Sequence, residues 1–109
     1  MESFRKITSS ERRLLLFLLT KSNIDAYKSL DLDKLNVQEM ADGGMGSLVF
    51  GTDNKERQFG KCIASISFHD KDGIEVSVSL NIDQYGDLYE LDLWKVDFSG
   101  LKCIPEFFE

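Results

Sequence analysis

Glu90 and Asp92 are the residues of this sequence whose types and spacing come nearest to catalytic chemistry. They lie two positions apart in the segment LYELDLW, which alternates apolar and polar residues. In an extended strand this spacing places both carboxylates on one face, about 7 Å apart. Paired carboxylates can divide the acid and base roles of a hydrolysis between them. The same pair can belong to an acidic docking surface or to a plain solvated sheet face, and nothing nearby in the sequence indicates a pocket.

The predicted face of the two acids also carries a large aromatic residue, Trp94. Tryptophan is enriched among the residues that anchor protein interfaces. The preceding strand-like segment, IEVSVSLNI, contributes polar side chains to the same face: Glu75, Ser77, Ser79 and Asn81. This composition favours a binding surface over an active site, although the C-terminal tail could also cover the tryptophan.

The only histidine, His69, is the second candidate for catalysis. By alternation it shares a face with Ser65 and Ser67, so a serine–histidine pair stays open. A histidine beside the DKDG turn is more simply a polar residue at the end of a hairpin. With one histidine and no acidic run of calcium-loop spacing, the sequence predicts no metal site, no cofactor and no catalytic residue.

The segment MADGGMGSLVF contains three glycines in four positions, Gly43, Gly44 and Gly46. A phosphate-binding glycine loop follows a strand and opens a helix, and a P-loop also contains a lysine. Here a strand-like apolar run follows, and the lysine is missing. The glycines therefore predict a chain reversal with positive φ between two strands. Gly73 in DKDG and Gly86 in DQYGD predict two further tight turns.

The elements that would position these residues begin with an N-terminal helix. Thr8 and Glu11 have the spacing of a capping box, and the apolar run after them predicts a helix over about residues 9–20. Its apolar residues occupy most of its circumference, which indicates burial against a broad surface such as a sheet. Asn23 could cap a second helix over about residues 24–30, which the sequence leaves open.

From residue 35 onward the apolar pattern repeats every two residues, as is typical of strands covered on one face. This pattern predicts about five antiparallel strands, over residues 35–40, 46–50, 61–69, 74–82 and 88–96. Alternation places Cys62 on the inward face. For Leu91 and Leu93 to share the inward face of Leu80, the loop between them must be even in length or a strand must contain a bulge. With a tail over residues 97–109, the result is an α+β fold whose helix or helices pack on one face of the sheet.

Length and charge limit the possible functions. The chain has 109 residues, which is enough for a single domain over 1–109. Its 19 acidic and 13 basic residues give a net charge of −6, which opposes binding to nucleic acid. No apolar run is long enough for a membrane span or a signal sequence, and two widely separated cysteines fit a reducing compartment. We therefore expect a cytoplasmic protein that binds neither nucleic acid nor membranes.

Two motifs together resemble those of a small, largely uncharacterised bacterial domain family. They are DGGMGSLVF and, further along, RQFGKCIASISFHDKDGIEVSVSLNIDQYGDLYELDLWKVDFSGLK. The second contains the pattern SLN-x-D-x-x-G-x-L-x-ELD-x-WKVDFS, and the resemblance covers nearly the whole chain. In its size, its acidity and its lack of catalytic residues, the chain also resembles the immunity proteins of contact-dependent growth-inhibition and related polymorphic-toxin systems.

The resemblance to immunity proteins implies a monomer that binds a cognate toxin domain, one to one, and covers its active site. Many such toxins are nucleases, ribonucleases included, whose basic clefts would attract an acidic inhibitor. The candidate contact residues are Glu75, Glu90, Asp92 and Trp94, with three acidic loops as alternatives: Asp53–Glu56, Asp70–Asp72 and Asp83–Asp87. The alternative function is a regulatory or structural binding module that has another protein partner or that forms a homodimer.

Overall fold

A computed structural model describes residues 4–52 and 56–108 of the chain. Its helix α1 spans Ser9–Ser22. The Thr8 hydroxyl accepts a hydrogen bond from the Glu11 amide, and the Glu11 carboxylate accepts one from the Thr8 amide, so the predicted capping box forms. Asn23 follows in the left-handed conformation, with φ 53°, and ends the helix.

Six antiparallel strands form one sheet within the described residues. They are β1 Arg5–Lys6, β2 Asn36–Glu39, β3 Leu48–Phe50, β4 Phe59–His69, β5 Glu75–Asp83 and β6 Leu88–Lys95. Their order across the sheet is β1-β2-β3-β6-β5-β4. The chain therefore has an α+β fold with an N-terminal helix, as the sequence predicts. The additional strand is β1, which at two residues is too short to show any periodicity.

Residues 24–30 do not form the second α-helix that the sequence left open. This range contains one 3-10 turn, Asp25–Tyr27, and a second turn, Leu32–Lys34, follows it. A seven-residue helix makes few internal hydrogen bonds for the backbone freedom that it loses, so other contacts decide the conformation. Here the Tyr27 hydroxyl donates to the Gly86 carbonyl at 2.5 Å, which ties the turn to the β5–β6 hairpin.

The hydrophobic core lies between α1 and one face of the sheet. The helix buries four leucines there: Leu14, Leu15, Leu18 and Leu19. Val76, Val78 and Leu80 of β5 are each at most 1% exposed, because the alternation of this strand turns them toward the core. The polar residues of the same strand are turned to the opposite face, where the candidate site lies.

A bulge brings the apolar residues of β5 and β6 to the same face. The turn Gln84–Gly86 has three residues, and the Asp83 amide donates to the Asp87 carbonyl across it. An odd loop length alone would turn the apolar residues of β6 outward. A register shift between Asn81 and Ile82 corrects this and places Leu80 opposite Leu91. The bulge, rather than an even loop, is therefore the alternative that the fold uses.

Another bulge overturns the prediction for Cys62. The register of β4 shifts between Cys62 and Ala64, so that Cys62 lies opposite Asn81 and is exposed. The prediction of an inward Cys62 is wrong because one extra residue in a strand reverses the face of every residue beyond it. The alternation of the sequence does not reveal this shift.

The C-terminal segment, described through residue 108, has no helix or strand in its described part. Phe108 lies against both layers of the core, with its ring centroid 5.2 Å from that of Phe17 in α1 and 6.1 Å from that of Phe68 in β4. Phe107, in contrast, is 83% exposed. None of the helical segments in the described ranges is long and apolar enough to cross a membrane.

Candidate functional site

The open face is the side of the sheet that is turned away from α1. We define it by nine polar or aromatic residues: Ser65 and Ser67 of β4, Glu75, Ser77, Ser79 and Asn81 of β5, and Glu90, Asp92 and Trp94 of β6. Strand pairing arranges most of them in rows. Ser67, Ser77 and Trp94 form one row, and Ser65, Ser79 and Asp92 form the next. Because serines are small, the acids and the tryptophan are the groups that project furthest toward a partner.

Glu90 and Asp92 are half-buried on the open face, and the described residues offer neither of them a salt bridge. The Asn81 side-chain amide donates to the Asp92 carboxylate at 2.9 Å. Burial raises the pKa of both carboxyls, and the charges of Asp92 and Asp42 add to this at Glu90 and Asp92 respectively. Hydrogen bonds from Asn81 to both carboxyls and the charge of Arg57 near Glu90 lower these pKa values only in part, so both stay raised. Their ionised forms are therefore unfavourable here, and a cation from a partner would stabilise them.

The aromatic pair Trp94 and Phe98 lies beside these acids. Trp94 is 54% exposed, Phe98 is 66% exposed, and their ring centroids are 5.2 Å apart. Phe98 has a φ of 64°, a left-handed conformation that bulky residues rarely adopt. Its amide donates to the Lys95 carbonyl at 2.9 Å and closes the turn that holds it there. Strained backbone conformations cluster at functional sites, so the conformation of Phe98 makes it a candidate contact residue.

Asp70, one of the predicted contact residues, lies inside the fold. Its carboxylate accepts hydrogen bonds from the Lys95 ammonium at 2.9 Å and from the Lys71, Lys102 and Cys103 amides. Burial raises the pKa of Asp70, but these bonds, led by that of the Lys102 amide, outweigh it and lower the pKa to about 2. The residue is 4% exposed. The prediction that Asp70 faces a partner is wrong, because this carboxylate ties β6 to the C-terminal segment.

Asp83 occupies an equivalent place at the other end of β5, and it is 2% exposed. The Nε of Arg57 donates to its carboxylate at 2.7 Å, and two amides of its own turn donate as well. The other guanidinium nitrogens donate to the Phe50 and Leu88 carbonyls. Burial raises the pKa of Asp83, but the Arg57 and backbone hydrogen bonds lower it overall. Asp83 is thus also an internal residue, contrary to the prediction.

The remaining predicted contact acids lie at the surface. The exposed ones are Glu75, Asp72 and Asp87. Asp72 also accepts a hydrogen bond from the Lys95 ammonium at 2.7 Å, which lowers its pKa. In the loop predicted over Asp53–Glu56, Asp53 lies outside the described residues and Glu56 is exposed.

The glycine cluster is a chain reversal between β2 and β3. Three glycines have positive φ values of 77°, 82° and 95°: Gly43, Gly44 and Gly46. Two amides that could otherwise hold a phosphate are bound by the carboxylate of Asp42, which accepts from Met45 at 3.1 Å and from Ser47 at 3.0 Å. A carboxylate of the chain itself therefore occupies the position where a phosphate-binding loop would hold an anion.

The C-terminal segment crosses this reversal at close range. The Leu101 amide donates to the Gly44 carbonyl at 3.0 Å. A Cβ on Gly46 would lie 2.9 Å from the side chain of Leu101. The cluster therefore supplies positive φ and room for a crossing segment, and these two requirements explain its glycines.

His69, the second candidate for catalysis, has no serine partner among the described residues. His69 is exposed at the end of β4, opposite Glu75, and the hydrogen bonds of the described chain do not join it to Ser65 or Ser67. The described residues also bring together no group of three or more His, Cys, Asp or Glu that could hold a metal ion.

The roles of three residues in or near the site are not predicted above from the sequence: Lys95, Arg57 and Phe98. Lys95 continues the alternation of the inward residues Leu91 and Leu93, so the pattern places its ammonium group in the core, where it needs a carboxylate partner. The sequence therefore contains a signal for this residue. Arg57 meets Asp83 across 26 positions, and Phe98 has an unusual φ, so no local pattern indicates either role.

Comparison with protein-family models shows the family of this chain. The model described as Domain of unknown function (DUF6984) matches residues 4–105. The chain therefore belongs to this family. Comparisons with curated proteins and with solved structures find no match.

Proposed function

We propose that this member of the DUF6984 family is a non-catalytic binding protein that docks a basic protein partner on its open face. The main support is the state of Glu90 and Asp92, which are half-buried with raised pKa values and have no salt bridge within the described chain. A lysine or arginine of the partner would neutralise them. The aromatic pair Trp94 and Phe98 would supply the apolar anchor next to that charge.

The more specific proposal is an immunity protein that acts in the cytoplasm. It would bind a cognate toxin domain of the nuclease class, one to one, and occlude the toxin's active site. The clefts of nucleases are basic because they hold phosphates, and this chain carries a net charge of −6. Opposite charges accelerate the encounter, and a few buried anchors then slow dissociation. The resemblance of the chain to immunity proteins supports the same role.

The direct test is co-expression with the product of the reading frame immediately upstream. The expected result is a one-to-one complex, protection of the cells from that product, and an association rate that falls with salt. The double variant Glu90→Gln/Asp92→Asn should associate at least about tenfold more slowly at low salt. Asp25→Asn/Asp33→Asn is the matched control, because it removes the same charge from exposed positions outside the sheet.

Two results would contradict this proposal. One is an upstream product that is not toxic and does not bind. The other is equal loss of association in the two charge variants, because that would show an effect of net charge rather than of the open face.

A further inference from the structure

The outer edge of β4 is an unpaired strand edge. Among residues 4–52 and 56–108, β4 spans Phe59–His69 and pairs only with β5, whereas the other edge of the sheet is the two-residue strand β1. An edge strand presents a row of backbone N–H and C=O groups that can pair with another strand. Short edges limit that pairing, and β4 is the longest strand in the described sheet.

The hairpin shows which groups point outward. The Asp70 amide donates to the Ile74 carbonyl at 2.9 Å, so this pair is hydrogen-bonded across the strands. Bonded and non-bonded pairs alternate in an antiparallel ladder. The non-bonded positions of β4 are therefore His69, Ser67 and Ser65, whose N–H and C=O groups point away from β5. None of these groups has a backbone partner in the described chain.

The available edge is short, regular and uncharged. The register shift between Cys62 and Ala64 interrupts it on one side, and the turn that follows His69 ends it on the other. The segment CIASISF, residues 62–68, contains no charged residue and no proline. Pairing with another copy of this segment would therefore bring no like charges into opposition.

An exposed aromatic residue lies beside this edge. A groove of about 370 Å³ runs between Ser67 and His69 on one side and Pro105, Phe107 and Phe108 on the other. Phe107 is 83% exposed, the largest exposed fraction among the large apolar residues of the described chain. A strand that paired with β4 would cover part of its ring.

We propose that β4 pairs with the β4 strand of a second copy, antiparallel across a twofold axis at Ser67. This axis places Ser67 opposite its symmetry mate and Ser65 opposite His69 of the other copy, so all three outward positions form pairs. A basic partner has little attraction to this edge, because the only formally charged residue within β4 is Lys61, and the acids that follow the strand, Asp70 and Asp72, are already paired with Lys95. The edge therefore favours a second copy, and the open face stays accessible to the partner proposed above.

Proline at position 67 tests this dimer. Ser67→Pro removes an outward N–H that β5 does not use, so the fold should tolerate it, as edge strands tolerate proline. Sedimentation velocity over a concentration series should show the unmodified chain shifting from a 12.4 kDa species to twice that mass. Ser67→Pro should weaken the dimer at least about tenfold, since two bonds are lost across the axis. Ser67→Ala, which keeps the N–H, should leave it unchanged.

A cross-linking pair keeps the test decisive if the proline variant does not fold. In a Cys62→Ala/Cys103→Ala background, Ser67→Cys should form an intermolecular disulfide, because bonded opposite residues lie about 5.5 Å apart at Cα, within disulfide reach. Ser77→Cys, one strand further in on the same face, should not. A chain that stays monomeric near millimolar concentration, or cross-linking that is equal in both variants, would overturn the dimer. Glu90→Gln/Asp92→Asn should leave the dimer intact, so this result is independent of the proposed function.

Discussion

Two pairs of acidic residues in one sheet are in opposite electrostatic states. Asp70, in the turn before β5, and Asp83, the last residue of β5, have lowered pKa values because a cation and several amides bind each carboxylate. Glu90 and Asp92, in the strand next to β5, have raised pKa values because burial outweighs the Asn81 hydrogen bonds and the charge of Arg57 near Glu90, and neither acid has a salt bridge in the described chain. The first pair therefore stabilises the fold, whereas the second is in a state that a cationic partner would improve.

The carboxylates of Asp70 and Asp83 each bind a buried cation of the chain, and the two cations differ. Lys95 brings one ammonium to Asp70, Asp72 and the Gly100 carbonyl, and so joins the β4–β5 turn to the C-terminal segment. Arg57 spreads its donors over Asp83 and two carbonyls, and so fixes the segment before β4. In both cases residues of the same chain neutralise the carboxylate, so it does not need a cation from a partner.

The largest expected effect comes from removing a turn carboxylate. Asp83→Ala should lower the free energy of unfolding by about 3–5 kcal/mol, because it leaves the guanidinium of Arg57 buried without its counter-charge. Urea denaturation measures this effect. The control is Asp25→Ala, an exposed acid that should change stability by less than about 0.5 kcal/mol. Equal losses in the two variants would contradict an internal role for Asp83.

Lowering the pH should remove the stability that ionised Asp70 gives to the fold, because the pKa of this carboxyl is lower in the folded chain than in the unfolded one. Its folded pKa is about 2 against an ordinary value of 3.8. The stability that it contributes is therefore complete above pH 3.8 and is lost as the pH falls through the interval down to about 2. Asp70→Asn should be less stable than the unmodified chain at neutral pH, and the difference should shrink across that interval. A constant difference would show that ionisation of Asp70 is not what stabilises the fold.

Trp94 should be important for binding and not for folding. Trp94→Ala should weaken the complex with the partner by at least about 30-fold, because a truncated central anchor typically removes about 2 kcal/mol. Its free energy of unfolding should change by less than about 1 kcal/mol, since the ring is already largely exposed. Isothermal titration and urea denaturation of the same variant separate the two effects. Loss of stability without loss of affinity would place Trp94 among the structural residues.

Replacing Phe98, the second residue of the aromatic pair, by glycine should not destabilise the fold. Phe98→Gly relieves a left-handed conformation that costs a non-glycine residue roughly 1 kcal/mol, although it also removes the contact with Trp94. The variant should be as stable as the unmodified chain or slightly more so, and it should bind the partner more weakly. Phe98→Ala, which keeps the strained φ and loses the ring, is the matched control. If both variants bind normally, the aromatic pair is not an anchor.

Removing the charges of the open-face acids should change stability only slightly, and in the direction opposite to removing Asp70 or Asp83. Because burial raises their pKa values, their ionised forms destabilise the fold as the pH rises through the ordinary carboxyl range. Glu90→Gln/Asp92→Asn should therefore increase stability at neutral pH by less than about 1 kcal/mol, and the gain should vanish at low pH. A loss of stability at pH 7 would mean that these acids are structural after all.

The sequence predicts the fold better than it predicts which acids are exposed. The strict alternation of Val76, Val78 and Leu80 and the capping box of Thr8 are local signals, and the sheet and α1 follow from them. The burial of Asp70 and Asp83 is not local, because it depends on Lys95 and Arg57, each about 25 positions away. Turn sequences rich in Asp and Gly look the same whether the aspartate faces solvent or binds a distant cation. A bulge such as the one beside Cys62 also has no local signal in the sequence, so alternation alone does not show which face of the sheet the residues beyond it occupy.

The most direct test of this comparison is a carbon-detected NMR titration of the four carboxyl groups in the free protein. We predict that Asp70 titrates at about 2 and Asp83 below its ordinary value of 3.8. Glu90 should titrate above its ordinary value of 4.5, and Asp92 above its ordinary value of 3.8. If Glu90 and Asp92 titrate at or below these values, the open face is already neutralised by its own chain, and the central argument for a cationic partner fails.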